Sequence, residues 1–280
     1  MPVTIAVVAP GAMGAGIGAR LVSRGALVLT SLQGRSAATQ GRAEAAGMTP
    51  ATDEALAAAD LILSVVPPDQ AVPLARRLAA SIGRVESAPI YVDLNAINPA
   101  TAREVAQALA GSKARFVDGS IIGLPPKPDS DGPTFYLSGD TEDAQATLAA
   151  YGLSVKALPG GVGAASALKM TYAGLTKGFT ALGAAMILAA RREGAADALA
   201  AELGSSQKEM LARLSRSVPD MLPKAYRWVP EMQEIAEFIG PDAPGGAIYR
   251  AISDLYRAIA EDHAQHGALE QELLGFFAPH

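Results

Sequence analysis

The sequence predicts an α/β domain built on a doubly wound parallel sheet over residues 1–160, followed by an all-α domain over residues 161–280. Three observations predict it. Short β-branched runs alternate with helical stretches through the first half, which is the pattern of βαβ units and a parallel sheet. A glycine turn separates the first apolar run from the first helical stretch. No strand signal follows Leu158-Pro159-Gly160-Gly161, where a long helix rich in Ala, Gly and Met begins.

The elements follow in order. Val3 to Ala9 reads as a buried strand, Pro10 to Gly14 as a turn, and Ala12 to about Ser23 as a helix. Ala26 to Ser31 is a second strand, and Ser36 caps a helix running to Ala46. Leu61 to Val66 is a strand stopped by Pro67-Pro68, and a helix runs from there to about Ile82. Pro89 to Leu94 is a strand, and Asn98-Pro99 sets a cap and a first-turn proline for a helix ending near Gly111. Arg115 to Asp118, Thr134 to Ser138 and Val155 to Leu158 complete the strands. One helix covers Ala164 to about Arg192. Further helices are expected to stop near Gly204, Pro219, Gly240 and Pro244.

Composition narrows the function. The chain has 280 residues, half of them hydrophobic, with a formal net charge of −5 and no cysteine. The charge and the lack of a basic stripe argue against a nucleic-acid partner. Disulfides and thiolate chemistry are excluded. The first residues already read as a strand, leaving no room for a signal peptide. The longest apolar stretch, Gly178 to Ala190, is shorter than the roughly 20 residues of a membrane span. A cytoplasmic protein with no membrane partner is the expectation.

A strand, a glycine turn and a helix opening from it form the phosphate-cradling part of a dinucleotide site, where the backbone approaches the pyrophosphate closely. Gly11, Ala12, Met13 and Gly14 are the candidates, although Ala9 stands where the first glycine of the fingerprint is usual. No acid occupies the end of the second strand; Arg35 and Ser36 stand there, a donor fork and a hydroxyl suited to a 2′-phosphate. The expected cofactor is therefore NADP(H). Val66 and Pro67 follow the third strand of this reading and Asn95 the fourth, so both loops border the ligand edge of the sheet. Asn95 is suited either to a ribose or nicotinamide contact or to a plain turn.

On the long helix, Lys169, Tyr172, Ala173 and Thr176 share a face among apolar neighbours. Such a lysine finds an anion, reaches water or lies in a cleft. In a cofactor cleft it would exchange a proton with the substrate oxygen while hydride moves at the nicotinamide. His263, His266 and His280 offer no third ligand of suitable spacing, so no metal is expected.

Taken together, Ala9 to Gly14, Gly34-Arg35-Ser36, Val66-Pro67-Pro68, Asp93 to Pro99, Asp118 to Gly123 and Lys169 resemble, in order, the motifs of the β-hydroxyacid dehydrogenase and 6-phosphogluconate dehydrogenase superfamily. The resemblance covers roughly residues 3 to 180. The segment Arg227-Trp228-Val229-Pro230-Glu231-Met232 is similar to a C-terminal domain of unknown function carried by some members. The resemblance implies a Rossmann-type fold, Lys169 as the catalytic lysine, and a homodimer formed through the long helix starting near Ala164.

The departures lie in the substrate half. Where the family reads Asp-Ala-Pro-Val-Ser-Gly-Gly, this chain reads Asp118-Gly119-Ser120-Ile121-Ile122-Gly123-Leu124. Ile122 replaces the serine, Leu124 the second glycine, and Ala173 the asparagine four residues after the lysine. An isoleucine cannot donate to a carboxylate, so Tyr172, Ser120 and, with less reason, Lys127 become candidates to orient the substrate. The expected activity is hydride transfer between NADP(H) and a small polar alcohol or carbonyl. Imine reduction and non-catalytic NADP(H) binding are the alternatives.

Overall fold

The computed structural model describes residues 2–127, 130 and 132–278. His280, one of the histidines weighed as a metal ligand, lies outside the described residues. The chain divides into two compact units, Met1–Met170 and Thr171–His280. The division falls within the long helix, past the Leu158–Gly161 break.

The first unit is one eight-stranded sheet covered on both faces. In chain order it holds β1 (Thr4–Val8), α1 (Ala12–Ser23), β2 (Leu27–Thr30), α2 (Ala37–Ala45), β3 (Thr49–Pro50), α3 (Asp53–Ala57), β4 (Leu61–Ser64) and α4 (Ala71–Ile82). It continues with β5 (Ile90–Asp93), α5 (Pro99–Leu109), β6 (Arg115–Ile122), β7 (Thr134–Gly139), α6 (Glu142–Ala150) and β8 (Ser154–Ala157). The helix α7 (Ala164–Arg192) starts in this unit. The strand order is β3-β2-β1-β4-β5-β6-β7-β8. Every adjacent pair is parallel except β6 and β7, which pair antiparallel from Val117↔Gly139 to Ile122↔Thr134.

Two apolar layers sandwich the sheet. Ile5, Val7, Ile17, Leu21, Leu63 and Val92 belong to one, and Ala6, Val8, Ile62, Leu74, Leu78 and Val105 to the other. Alternate strand residues feed alternate layers, as the period of two requires. Asn98 caps α5 by accepting from the N–H groups of Ala100 and Thr101, with Pro99 at the first helical position, as read from sequence.

One expectation is corrected. The strand expected to stop at Asp118 runs on to Ile122, so Ser120 stands inside β6 and not in a loop. The helix that holds Pro219 in its last turn stops at Met221, close to the stop expected there.

The second unit carries the later turns of α7, then α8 (Ala196–Ser206), α9 (Lys208–Met221), α10 (Ala225–Ile239), α11 (Pro244–His263) and α12 (Ala268–Gly275). The Arg227–Met232 segment ties α10 to α7. Glu231 forms an ion pair with Lys177, whose ammonium also sits 4.9 Å from the Trp228 ring centre. The Tyr256 hydroxyl donates to the Lys177 carbonyl at 2.5 Å. His263 and His266 sit 3.1 and 3.5 Å from the Glu270 carboxylate, linking α11 to α12. Among the described residues no group of three or more His, Cys, Asp or Glu is arranged to hold a metal ion.

Among the described residues one helix, α7, is long and apolar enough to cross a membrane, with mean hydropathy 1.4 over its most apolar window. The uninterrupted helix extends well beyond the Gly178–Ala190 run counted from sequence.

Candidate active site

The sequence of strands reverses direction between β1 and β4, and the carboxyl ends of β1, β4, β5 and β6 all open on one edge of the sheet. That edge is where open α/β sheets bind ligands. Gly11 to Gly14, Val66 with Pro67, and Asn95 follow β1, β4 and β5 and so are brought to that edge by chain direction.

Gly11 is the N-cap of α1 and makes no side-chain capping bond, and the first turn holds no acid. The leading N–H groups and the positive end of the helix dipole are therefore left to an anion. A Cβ on Gly11 would meet nothing within 4 Å, so the turn is open on its outer side. A Cβ on Gly14 would lie 2.1 Å from the Ala9 carbonyl oxygen, so only glycine lets the helix start this close to the strand end. Ala9 itself is buried, and its carbonyl accepts from Gly11 N–H at 2.9 Å. Alanine is thus accommodated where the fingerprint usually has glycine, and the cradle fits a dinucleotide pyrophosphate.

After β2 the chain turns through Gly34, whose φ is +69°. This left-handed conformation suits glycine or asparagine, which explains how Gly34-Arg35-Ser36 can stand for an Asn-Arg-Ser motif. Arg35 is exposed, and Ser36 caps α2 by accepting from Thr39 N–H. Sequence reading missed Arg42. Its guanidinium donates to the Thr39 hydroxyl at 2.8 Å and to the Pro10 carbonyl at 3.3 Å, bridging α2 and the glycine turn. Its place in the last turn of α2 gave no signal; only the packing of α2 reveals its reach.

Val66 and Pro67 leave β4 at the same edge. Asn95 is buried, and every polar atom of its side chain is used inside the protein. Its oxygen accepts from Val66 N–H at 2.6 Å, and its amide nitrogen donates to Ser64 Oγ and to Asp93 Oδ2, both at 2.8 Å. The geometry therefore assigns Asn95 to shaping the β4 and β5 exits. Burial pushes the Asp93 carboxyl up to about 7; the bonds from Asn95 oppose this and the nearby Asp118 charge adds to it.

Lys169 is half-buried, one and a half turns into α7, and its ammonium donates to the Ile121 carbonyl at 2.8 Å. This leaves two N–H protons on the ammonium for other acceptors. The Ser120 hydroxyl is fully buried and finds no hydrogen-bond partner among the described residues. Tyr172 belongs to the second unit and is 49% exposed. Lys127 lies elsewhere, with Arg20 and Arg24 around a cavity of about 320 Å³ on the back of α1.

A dinucleotide cradle, a cationic loop after β2 and a lysine at the same sheet edge define a nicotinamide-dinucleotide-binding α/β protein. Residues 4–155, more than half of the chain, match the NAD binding domain of 6-phosphogluconate dehydrogenase, and the chain belongs to that family. Residues 190–259 match a domain of unknown function, DUF1932.

Among solved structures, the chain is similar to a conserved protein of unknown function described as resembling 3-hydroxyacid dehydrogenases. The two share 27% identity over 96% of this chain and 100% of the other, with a TM-score of 0.69. The 3-hydroxyisobutyrate dehydrogenase of Mycobacterium tuberculosis, solved with L-serine, shares 21% over 99% and 100%, with a TM-score of 0.73. An imine reductase from Myxococcus stipitatus bound to NADP+ shares 18% over 99% of each chain, with a TM-score of 0.54. These last two likenesses show the fold. The search of curated proteins finds no match.

Proposed function

We propose that this protein is an NADP-dependent oxidoreductase that transfers hydride between the nicotinamide and a small polar alcohol or carbonyl compound, with Lys169 as general acid/base. The observation that carries the reading is the Lys169 ammonium, held at 2.8 Å from the Ile121 carbonyl at the ligand edge of the sheet. Bound NADP(H) would supply or accept the hydride. The α1 N-terminus from Gly11 to Gly14 holds the pyrophosphate, and Val66 and Pro67 border the nicotinamide side. Arg35, Ser36, Thr39 and Arg42 form the pole for the 2′-phosphate; neither arginine forms a salt bridge among the described residues. Lys169 gives a proton to the carbonyl oxygen in reduction and takes it back in oxidation.

Replacing Lys169 by Ala should lower turnover by at least about a hundredfold, the usual size of a general acid/base contribution. The Kd for NADPH should stay within about twofold. Steady-state rates with a panel of hydroxy acids, aldehydes and ketones, together with nicotinamide fluorescence titrations, measure both. Unchanged turnover in the variant would refute the assignment.

Imine reduction is the second reading, favoured by the apolar Ile122, Leu124 and Ala173 at positions where the family anchors a carboxylate. Comparing imine and ketone reduction rates separates the two. The exposed stripe Tyr172, Leu175, Leu182 and Met186 on α7 supports self-association through that helix.

A further inference from the structure

We propose that Asp118 is the positioning residue for Lys169: its buried carboxylate caps α7 and fixes the register of that helix against β6, so that the lysine ammonium is delivered to the Ile121 carbonyl. The proposal rests on the reading of Lys169 as acid/base, which it extends to a second residue.

Asp118, Ser138 and Ser166 are each fully buried. Oδ2 of Asp118 accepts from the N–H groups of Gly163, Ala165 and Ser166 at 2.9, 3.0 and 3.1 Å, and from Ser138 Oγ at 2.9 Å. Oδ1 accepts from Ser166 Oγ at 2.6 Å. These five bonds come from amides and hydroxyls, three of them from N–H groups at the start of α7. The helix therefore stabilises the carboxylate through its unpaired N–H groups and its dipole, and the carboxylate in turn holds the first turn in place. Ser138 makes the contact rigid, because it also accepts from Ala165 N–H at 3.0 Å.

The same strand and helix meet again three residues on. Asp118 to Ile121 along β6 advances about 10 Å, whereas Ser166 to Lys169 along α7 advances about 4.5 Å. The long lysine side chain spans the difference and ends on the Ile121 carbonyl. Two contacts, Asp118 with Ser166 and Ile121 with Lys169, leave no freedom for α7 to slide or rotate on β6. A lysine anchored at only its own end would sample the rotamers open to a flexible four-carbon stem.

The test is the reactivity of the Lys169 amine, which needs no substrate. Wild type, Asp118→Asn and Ser166→Ala are labelled with acetic anhydride across a pH series. The rate at each lysine is then read from its peptide by mass spectrometry. Asp118→Asn keeps the shape but removes the charge and replaces one acceptor oxygen by an NH2 group. The rate at Lys169 should rise about fivefold, the effect expected for one hydrogen bond lost. The other lysines and the Kd for NADPH should not change. Ser166→Ala, which removes only the bond to Oδ1, should give a smaller rise in the same direction and guards against misfolding of the first variant.

A merely structural role would lower the unfolding temperature and leave the Lys169 rate at its wild-type value in the folded protein; that result overturns the proposal. If Lys169 is released in Asp118→Asn but Lys169→Ala turns over normally, Asp118 does position Lys169, and it is the acid/base reading that falls. If Lys169→Ala is inactive and the labelling rates are unchanged, only the role of Asp118 falls.

Discussion

Arg42, in the last turn of α2, reaches the glycine turn through hydrogen bonds to Thr39 and to the Pro10 carbonyl. On the proposed NADP reading, a guanidinium placed there would meet the 2′-phosphate together with Arg35. Arg35→Ala and Arg42→Ala should each weaken NADPH binding by roughly tenfold or more, the effect of losing a charged hydrogen bond, and leave NADH binding nearly unchanged. Fluorescence titration with both cofactors checks this; equal losses for NADH would remove the 2′-phosphate assignment. Asp93 carries a different expectation. Its native carboxyl holds a proton up to about pH 7, whereas the unfolded chain releases it near the ordinary carboxylate value. Between those two values the native state binds more protons, so stability should fall as pH rises and then level off. Asp93→Asn should flatten that slope. Thermal midpoints from pH 4 to 8 measure it, and an identical slope in the variant would count against the titration of this group.

The start of α1 depends on a contact with no slack. A Cβ on Gly14 would press on backbone, the Ala9 carbonyl oxygen, which cannot rotate away as a side chain can. Gly14→Val should therefore destabilise the fold by about 2 kcal/mol or more and weaken NADPH binding together with it, as seen by chemical denaturation and titration. Full stability with full affinity would show that the helix start is free to move. This turn was legible from sequence because strand period, glycines and helix period meet within a dozen residues. The end of β6 was not. Gly119 suggests a loop by composition, yet its reason is lateral: a Cβ there would lie 2.8 Å from the Asp93 carbonyl and from Leu94. A residue chosen by the neighbouring strand carries no signal in its own segment. The same holds for Asn95, whose bonds to Ser64 and Val66 cross from one strand exit to another.

The chain divides into two units within one helix, and the doubly wound sheet and the all-helical remainder follow the alternation read from the chain, whereas the antiparallel β6–β7 pair, joined with no helix between among the described residues, was not read from it. Leu175, Leu182 and Met186 remain 74, 58 and 61% exposed on α7, a run of apolar surface spaced by seven and four residues. Burying it against a second copy would stabilise a dimer through the hydrophobic effect. Sedimentation velocity should therefore show a dimer for the wild type and a monomer for Leu175→Glu with Met186→Glu; a monomeric wild type would remove this proposal.

The capping of Asp118 has a consequence for how the chain is made. The residues matched by the NAD-binding family end at 155, yet the amides that satisfy this carboxylate arrive with Gly163, Ala165 and Ser166. While the chain is being made, the Asp118 carboxylate has the Ser138 hydroxyl but none of these three N–H donors until the start of α7 follows. A fragment ending at 155 lacks all three, and one extending to Met170 carries them.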